Sequence, residues 1–433
     1  MNNKVIKNAA WIIGCRILQS ALALIVTMIS ARYLGPSGYG LINYAASLVA
    51  FVVPIMQLGL NATLVQEIIQ DPQHEGETLG TTLVMSMISS VACVIGISAF
   101  TAIANSGETE TIRVCILYSL LLVFQSLEMI RFWFQAKLMS KYTSVSVLVA
   151  YIVVAVYRIV LLVTGCSIYW FAISQAFDVA LIAVAQLVLY HKLSANKLRF
   201  SWNRGRRMLA KSKHYIISGL MVTVFAQTDR IMLKMFVNEE AVGFYSAAVS
   251  CASLTAFVFV AIIDSVRPSV LEGRQQSEAL FAQRMKKLYT IIIILALFQS
   301  VFITLLAKPV IFILYGKAYG PSINALRIVV WYTTFSYLGA VRDIWILAEN
   351  KQKYLLGINL SGALANVLLN TVLIPLYGIY GAAMASLVTQ FFTNVITGWI
   401  IPAMRPNNRL IFQSLHPKYL SFGIKKMFRR YKL

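Results

Sequence analysis

Ala31-Arg32-Tyr33-Leu34-Gly35-Pro36-Ser37-Gly38-Tyr39-Gly40-Leu41-Ile42-Asn43-Tyr44-Ala45-Ala46-Ser47 is a short polar corner between two long apolar runs. Its centre holds what ends one helix and starts the next: glycines free to take positive φ, and a proline with no amide to donate. A diluted copy spans Met235 to Ser250, where Val242-Gly243-Phe244-Tyr245-Ser246-Ala247-Ala248 parallels Tyr39-Gly40-Leu41-Ile42-Asn43-Tyr44-Ala45. Gly40 and Gly243 are separated by close to half the chain, so the sequence reads as two related halves.

The apolar runs recur along all 433 residues. The chain is 59% hydrophobic and 12% charged, far from soluble domains, in which about a quarter of residues are charged. Runs near twenty residues, divided by short polar breaks, fit helices that cross a hydrocarbon core of roughly 30 Å. The alternating ten-residue strands of a closed barrel are absent. The expected fold is therefore an all-α polytopic membrane protein with twelve transmembrane helices, six from Asn8 to Tyr190 and six from Tyr215 to Ile400. The first run carries no small-residue cleavage site and is read as a retained span. Five cysteines, at 15, 93, 115, 166 and 251, form no C-x-x-C pair and read as small residues of the packed spans.

Charge sets the expected orientation. Lys137, Lys141, the run from Lys192 to Lys213, the run from Arg267 to Lys287, Lys351, Lys353 and the tail from Arg405 all fall on the amino-terminal side. The opposite loops hold Lys308 and Lys317 beside acidic residues such as Glu108 and Glu239. By the positive-inside rule both termini are cytoplasmic. One loop on that side, with Asp71, Glu75 and Glu77, has no basic residue of its own. The net charge of +22 is explained by orientation and anionic headgroups, with no nucleic acid as partner. The most basic connection marks the middle. This gives an amino-terminal six-helix lobe over 1–190, a basic cytoplasmic linker over 191–214, a second lobe over 215–402 and a basic tail over 403–433. Each half starts on the same side, so the repeat is parallel.

Ionisable residues inside apolar spans cost roughly 2.5–3.5 kcal/mol or more each at the bilayer centre and require a wet cavity or partners. Arg16, Arg158, Arg230, Arg342 and Lys234 are the candidates for a cationic substrate cavity, although Lys234 also lies close enough to a span end to snorkel. Guanidinium grips phosphate oxygens in bidentate geometry, so an excess of arginine suits an anion. Glu128, Asp178, Asp229 and Asp343 are the candidates for proton or sodium coupling. Glu128 and Arg131, three apart, can neutralise each other. Asp229 with Arg230, and Arg342 with Asp343, are sequence neighbours whose side chains diverge by about 100° around a helix, which places their expected partners on other helices. Asn359, Asn366, Asn370, Gln390 and Asn394 suit sugar hydroxyls or helix locking. No nucleotide loop, metal signature or nucleophile elbow is present, so no catalytic residue, metal or cofactor is expected beyond a coupling ion.

Three stretches carry a family resemblance: Arg32-Tyr33-Leu34-Gly35-Pro36-Ser37-Gly38-Tyr39-Gly40, Asp229-Arg230-Ile231-Met232-Leu233, and Ile374-Pro375-Leu376-Tyr377-Gly378-Ile379-Tyr380-Gly381-Ala382-Ala383. With them the chain, from Asn8 to about Met404, resembles the Wzx-like bacterial oligosaccharide flippases. These are the polysaccharide transporters of the multidrug/oligosaccharidyl-lipid/polysaccharide exporter superfamily. The resemblance implies two six-helix lobes in the fold shared with multidrug exporters, and a location in the bacterial inner membrane. It also implies alternating-access transfer of undecaprenyl-diphosphate-linked repeat units to the outer leaflet for O-antigen, lipopolysaccharide, capsule or exopolysaccharide. The implied partners are that lipid-linked oligosaccharide, membrane lipids, and polysaccharide polymerase and chain-length machinery. The alternative is a multidrug cation antiporter of the same superfamily, which should present a carboxylate to cationic drugs from the first lobe; span one here offers Arg16 and no acid, while Asp178 in the same lobe keeps that reading open. A polymerase or ligase would need a large external loop with catalytic arginine or histidine, for which there is no room.

Overall fold

Hydrocarbon offers no water to backbone N–H and C=O groups, so a spanning chain must close its hydrogen bonds within each segment. The long apolar runs accordingly are helices in the computed structural model, which describes residues 3–194 and 196–415, with side chains from residue 22 onward except 62. Among the described residues there is no strand. The tail beyond residue 415 lies outside the described residues.

The opening corner is where the first helix turns. Asn3–Met56 is a single helical stretch of 54 residues, which at 1.5 Å per residue would reach about 81 Å, more than twice the membrane. It is broken at Gly35, with φ 68° and ψ 177°. That region of backbone space is essentially closed to residues with a Cβ. A Cβ built there meets nothing within 4 Å, so the demand for glycine is conformational and not steric. Pro36 follows, where its missing amide leaves no bond unmade.

In the second half the same register offset that pairs Gly40 with Gly243 pairs Gly35 with Asn238. The break recurs there by another device. Trp202–Phe236 ends, and Asn238, extended at φ −174° and ψ 178°, caps Glu239–Ala252 by accepting from the amide of Ala241 at 2.8 Å. Asparagine is among the best N-caps because its side-chain oxygen reaches an orphan amide of the first turn.

The chain divides into two units, Met1–Ile231 and Met232–Leu433. Unit 1 therefore includes the basic stretch 191–214. The amide of Arg199 donates to the carbonyl of Gly76 at 3.2 Å, that of Ser201 to Thr81 Oγ1 at 2.9 Å, and Ser212 Oγ to the carbonyl of Leu58 at 3.0 Å. The stretch is thus laid along unit 1 and runs without interruption into Trp202–Phe236, a helix of 35 residues. A core around Leu64, Ile68, Leu79, Trp133, Phe134 and Tyr190 lies beneath it. Unit 2 has its own core, in which Phe259 stacks on Tyr337 with centroids 3.8 Å apart.

Ten helical stretches among the described residues are long and apolar enough to cross a membrane by length and composition. The expected count was twelve. Two features account for the difference. Leu22–Met56 counts once although Gly35 divides it, and Ser322–Ala348 is not among the ten. The latter is diluted by Thr333, Thr334, Arg342 and Asp343, and buries most of those polar groups inside unit 2.

Candidate functional site

Unit 1 has a charged interior. Along Ser140–Val163 the residues Ala150, Val154, Arg158 and Leu161 share one buried face at helical spacing, so the arginine follows its apolar neighbours inward. Arg158 is 8% exposed, and its Nε donates to Ser174 Oγ at 3.0 Å on Ile168–Leu193. Ser174 in turn donates to the carbonyl of Phe171 at 2.7 Å, which fixes its lone pairs toward the guanidinium. One turn on lies Asp178. Arg158 Nη2 and Asp178 Oδ1 are both buried with no hydrogen-bond partner among the described residues.

The charge of Arg158 acts on Asp178, Tyr118 and Tyr151, that of Arg131 on Glu128, and that of Asp178 on Glu128, Tyr118 and Tyr151. Four segments of unit 1 thus contribute to one electrostatic cluster: Thr109–Ser119, the turn Glu128–Ile130, Ser140–Val163 and Ile168–Leu193. Two carboxylates, one of them beside an arginine with spare hydrogen-bonding capacity, make a place where a proton or small cation can be held and released. Arg131, the expected neutralising partner of Glu128, acts on it through its charge and not through a direct contact. No ion pair joins them among the described residues, and the Arg131 guanidinium lies over the Phe132 ring, 4.8 Å from its centroid.

The helix Trp202–Phe236 carries three more candidates. Asp229 is buried, Arg230 is half-buried and donates through Nη1 to Gln227 Oε1 at 3.1 Å, and Lys234 is buried with Nζ 2.8 Å from Glu239 Oε2. Lys234 thus ends in an ion pair at the start of the following helix.

In unit 2 the candidates Arg342 and Asp343 face each other, with Nη2 to Oδ1 at 3.1 Å. This corrects the expectation that adjacent residues could not meet. The 100° divergence holds for Cβ directions, whereas an arginine long enough to curl back brings its head to its neighbour. The same guanidinium reaches another helix as well: Nη1 donates to the carbonyl of Thr393 at 2.9 Å. Thr393 lies in the π-helical turn Phe392–Ile396, and such turns loosen the regular backbone ladder. Gly339, one turn before Asp343, lets that turn come close, because a Cβ there would collide with the Asn394 amide. Asn394 donates to Gln390 Oε1 at 2.7 Å, and Asn370 to Asn366 Oδ1 at 3.1 Å. These amides bond along their own helices.

The structure thus gathers Arg158, Asp178 and Glu128 in unit 1 and Arg342 with Asp343 in unit 2, and keeps Asp229, Arg230 and Lys234 on one helix. Arg16 lies outside the described residues as far as its side chain is concerned. Sequence reasoning missed the Thr393 carbonyl. A signal was present in Thr389, Thr393 and Thr397, spaced four apart, whose hydroxyls bond back to the carbonyls of Ala385, Thr389 and Thr393; such back-bonding bends helices.

The acidic loop also has a structural explanation. Glu75 meets Lys137 at 2.6 Å and Asn196 at 2.9 Å, Asp71 meets Arg204 at 3.0 Å, and Glu67 meets Lys211 at 2.6 Å. It is the counter-surface of the basic stretch. A hydrogen bond from His74, 2.9 Å away, and the Arg204 guanidinium hold the Asp71 carboxyl below the usual carboxylate range.

A family model described as "Polysaccharide biosynthesis protein" matches residues 5–271. The capsular polysaccharide biosynthesis protein CapF of Staphylococcus aureus is 21% identical over 406 residues, covering 89% of this chain and 96% of that protein. Among solved structures, the lipid II flippase MurJ in an inward closed conformation superposes with a TM-score of 0.72 at 13% identity, over 93% of this chain and 90% of MurJ. An inward-facing multidrug resistance MATE family transporter of the MOP superfamily gives 0.67 at 14% identity, over 91% and 96% of the two chains. At such identities the likeness establishes the fold, which is that of this superfamily.

Proposed function

This chain belongs to the polysaccharide biosynthesis protein family, and we propose that it is a flippase for undecaprenyl-diphosphate-linked oligosaccharide repeat units. It would move them from the cytoplasmic to the outer leaflet of a bacterial inner membrane, for O-antigen, capsule or exopolysaccharide assembly. The observation that carries the reading is the near full-length similarity to a capsular polysaccharide biosynthesis protein, in a fold shared with exporters and a lipid II flippase. The clustering of basic residues on the amino-terminal side supports cytoplasmic termini.

The physical task explains the intramembrane charges. A diphosphate and its sugars lose several kcal/mol for each polar group taken into hydrocarbon without a partner, whereas the prenyl chain loses nothing by staying in lipid. Alternating access gives the polar part a protein path. In this reading Arg16 and Arg230 of unit 1 supply positive charge toward the diphosphate, and Arg342 and Lys234 are the candidate cations of unit 2. Asp178 and Glu128 hold the coupling proton or sodium ion, Arg158 sets their electrostatics from the Ser174 side, and Asp229 and Asp343 balance the arginines beside them. Polymerase and chain-length machinery would receive the product.

The test uses cells in which this gene is deleted and then restored as wild type or as Arg230→Ala. Lipid-linked repeat units accumulating in the inner leaflet, cleared by wild type and not by the variant, are expected. Unimpaired glycan export with new sensitivity to cationic drugs would overturn the reading in favour of a multidrug antiporter.

A further inference from the structure

The helices Ser140–Val163 and Ile168–Leu193 leave an open groove between them, entirely within unit 1, with a volume near 540 Å³. Its floor is small, at Ser146, Ala150 and Ala185, and its walls are Val145, Val149, Val153 and Val184. The floor is also dry. The only floor hydroxyl, that of Ser146, already donates to the carbonyl of Tyr142 at 2.9 Å. The wall valines are 36–57% exposed, on helices apolar enough to span a membrane, so hydrocarbon and not water must cover them. Lys141, at one end, is the one charged residue of the lining.

We propose that this groove is a binding site for an anionic glycerophospholipid, with one acyl chain along the valine walls and the phosphate at Lys141. Two features select that occupant. The first is charge: an apolar trough ending in a single cation complements an amphiphile with an anionic head. The second is length. From Lys141 to Val153 the groove follows about 18 Å of helix, close to the roughly 15 Å depth of one leaflet. A single leaflet-deep acyl chain fills it, whereas a long prenyl chain would overrun it. The site is distinct from the Arg158 cluster and does not depend on which solute is transported.

The test is native mass spectrometry of the full chain, purified and delipidated in nonionic detergent, with phosphatidylglycerol or phosphatidylcholine of identical acyl chains. Wild type is expected to retain phosphatidylglycerol about fivefold better, the factor corresponding to roughly 1 kcal/mol per basic residue at an anionic headgroup. Lys141→Gln should abolish the preference, and Val149→Trp, which fills the groove from its exposed wall, should weaken both lipids. Equal retention of the two lipids by wild type, or a preference that survives Lys141→Gln, overturns the proposal. So does displacement of phosphatidylglycerol by an equal concentration of polyprenyl phosphate, which would reassign the groove to a prenyl chain.

Discussion

The guanidinium of Arg342 donates to the backbone carbonyl of Thr393 at 2.9 Å while its other face meets the carboxylate of Asp343 at 3.1 Å. One buried cation thus ties Ser322–Ala348 to the π-helical turn Phe392–Ile396. Arg342→Met should remove the tie and lower the thermal unfolding midpoint in detergent, since a hydrogen bond from a charged donor contributes about 1.5–3 kcal/mol, with the Thr397 hydroxyl still left on the Thr393 carbonyl. Arg342→Lys should recover only part of the loss, because a compact ammonium does not span the Thr393 carbonyl and the Asp343 carboxylate as the separate nitrogens of a guanidinium do.

Arg158 and Asp178 are predicted to couple in a double-mutant cycle. Removing one of two opposite charges in a buried site strands the other, at a cost below the roughly 3–5 kcal/mol of a direct buried pair because the two do not touch and Asp178 is only half-buried, whereas removing both strands neither. Thermal unfolding of Arg158→Leu, Asp178→Leu and the double variant should place the double above the sum of the singles. Simple additivity would show the two sites to be independent.

Gly35→Ala should destabilise the chain by about 1–3 kcal/mol, the usual range for a residue forced into sparsely populated backbone space. Asn238→Ala should cost about 1 kcal/mol through loss of the cap. The unfolding midpoints of the two variants distinguish a conformational break from a capped one, because Asn238→Ser should restore stability and Gly35→Ser should not.

The clasp between Asp71 and Arg204 should respond to acid. Folding depresses the Asp71 carboxyl, first through His74 and then through Arg204. Its contribution is therefore full above the ordinary aspartate value of about 3.9 and is lost as pH falls through the lower folded value. Hydrogen exchange at the amides of Arg199 and Ser201, corrected for intrinsic rates, should accelerate in that acidic window. Asp71→Asn should reduce the pH dependence, leaving the part carried by Glu77 on the same Arg204, and exchange faster at neutral pH.

Much of this was legible in the sequence where the signal is local. The Leu34-Gly35-Pro36 corner marks a helix break because glycine and proline act on their own backbone, and the depth of a charge in an apolar run marks it as partnered. Long-range pairing was not legible. Nothing in Asp71 and Glu77 points to Arg204, more than a hundred residues on, which neutralises both, or in Glu75 to Lys137. The Arg342–Asp343 contact was misjudged because helical geometry sets where a side chain starts and not where a long one ends. Arg158 was legible as buried, but its bond to Ser174 emerges only when two helices are packed.

The most direct measurement of the central proposal uses the purified chain in liposomes carrying a fluorescent prenyl-diphosphate oligosaccharide in one leaflet, with exposure of its sugars followed by a membrane-impermeant glycosidase. Cleavage of the initially shielded pool should require wild-type protein, fall at least tenfold with Arg230→Ala, and leave liposome integrity unchanged. Cleavage no faster than in protein-free liposomes, by protein that still exports a cationic dye down an imposed gradient, would contradict the flippase reading.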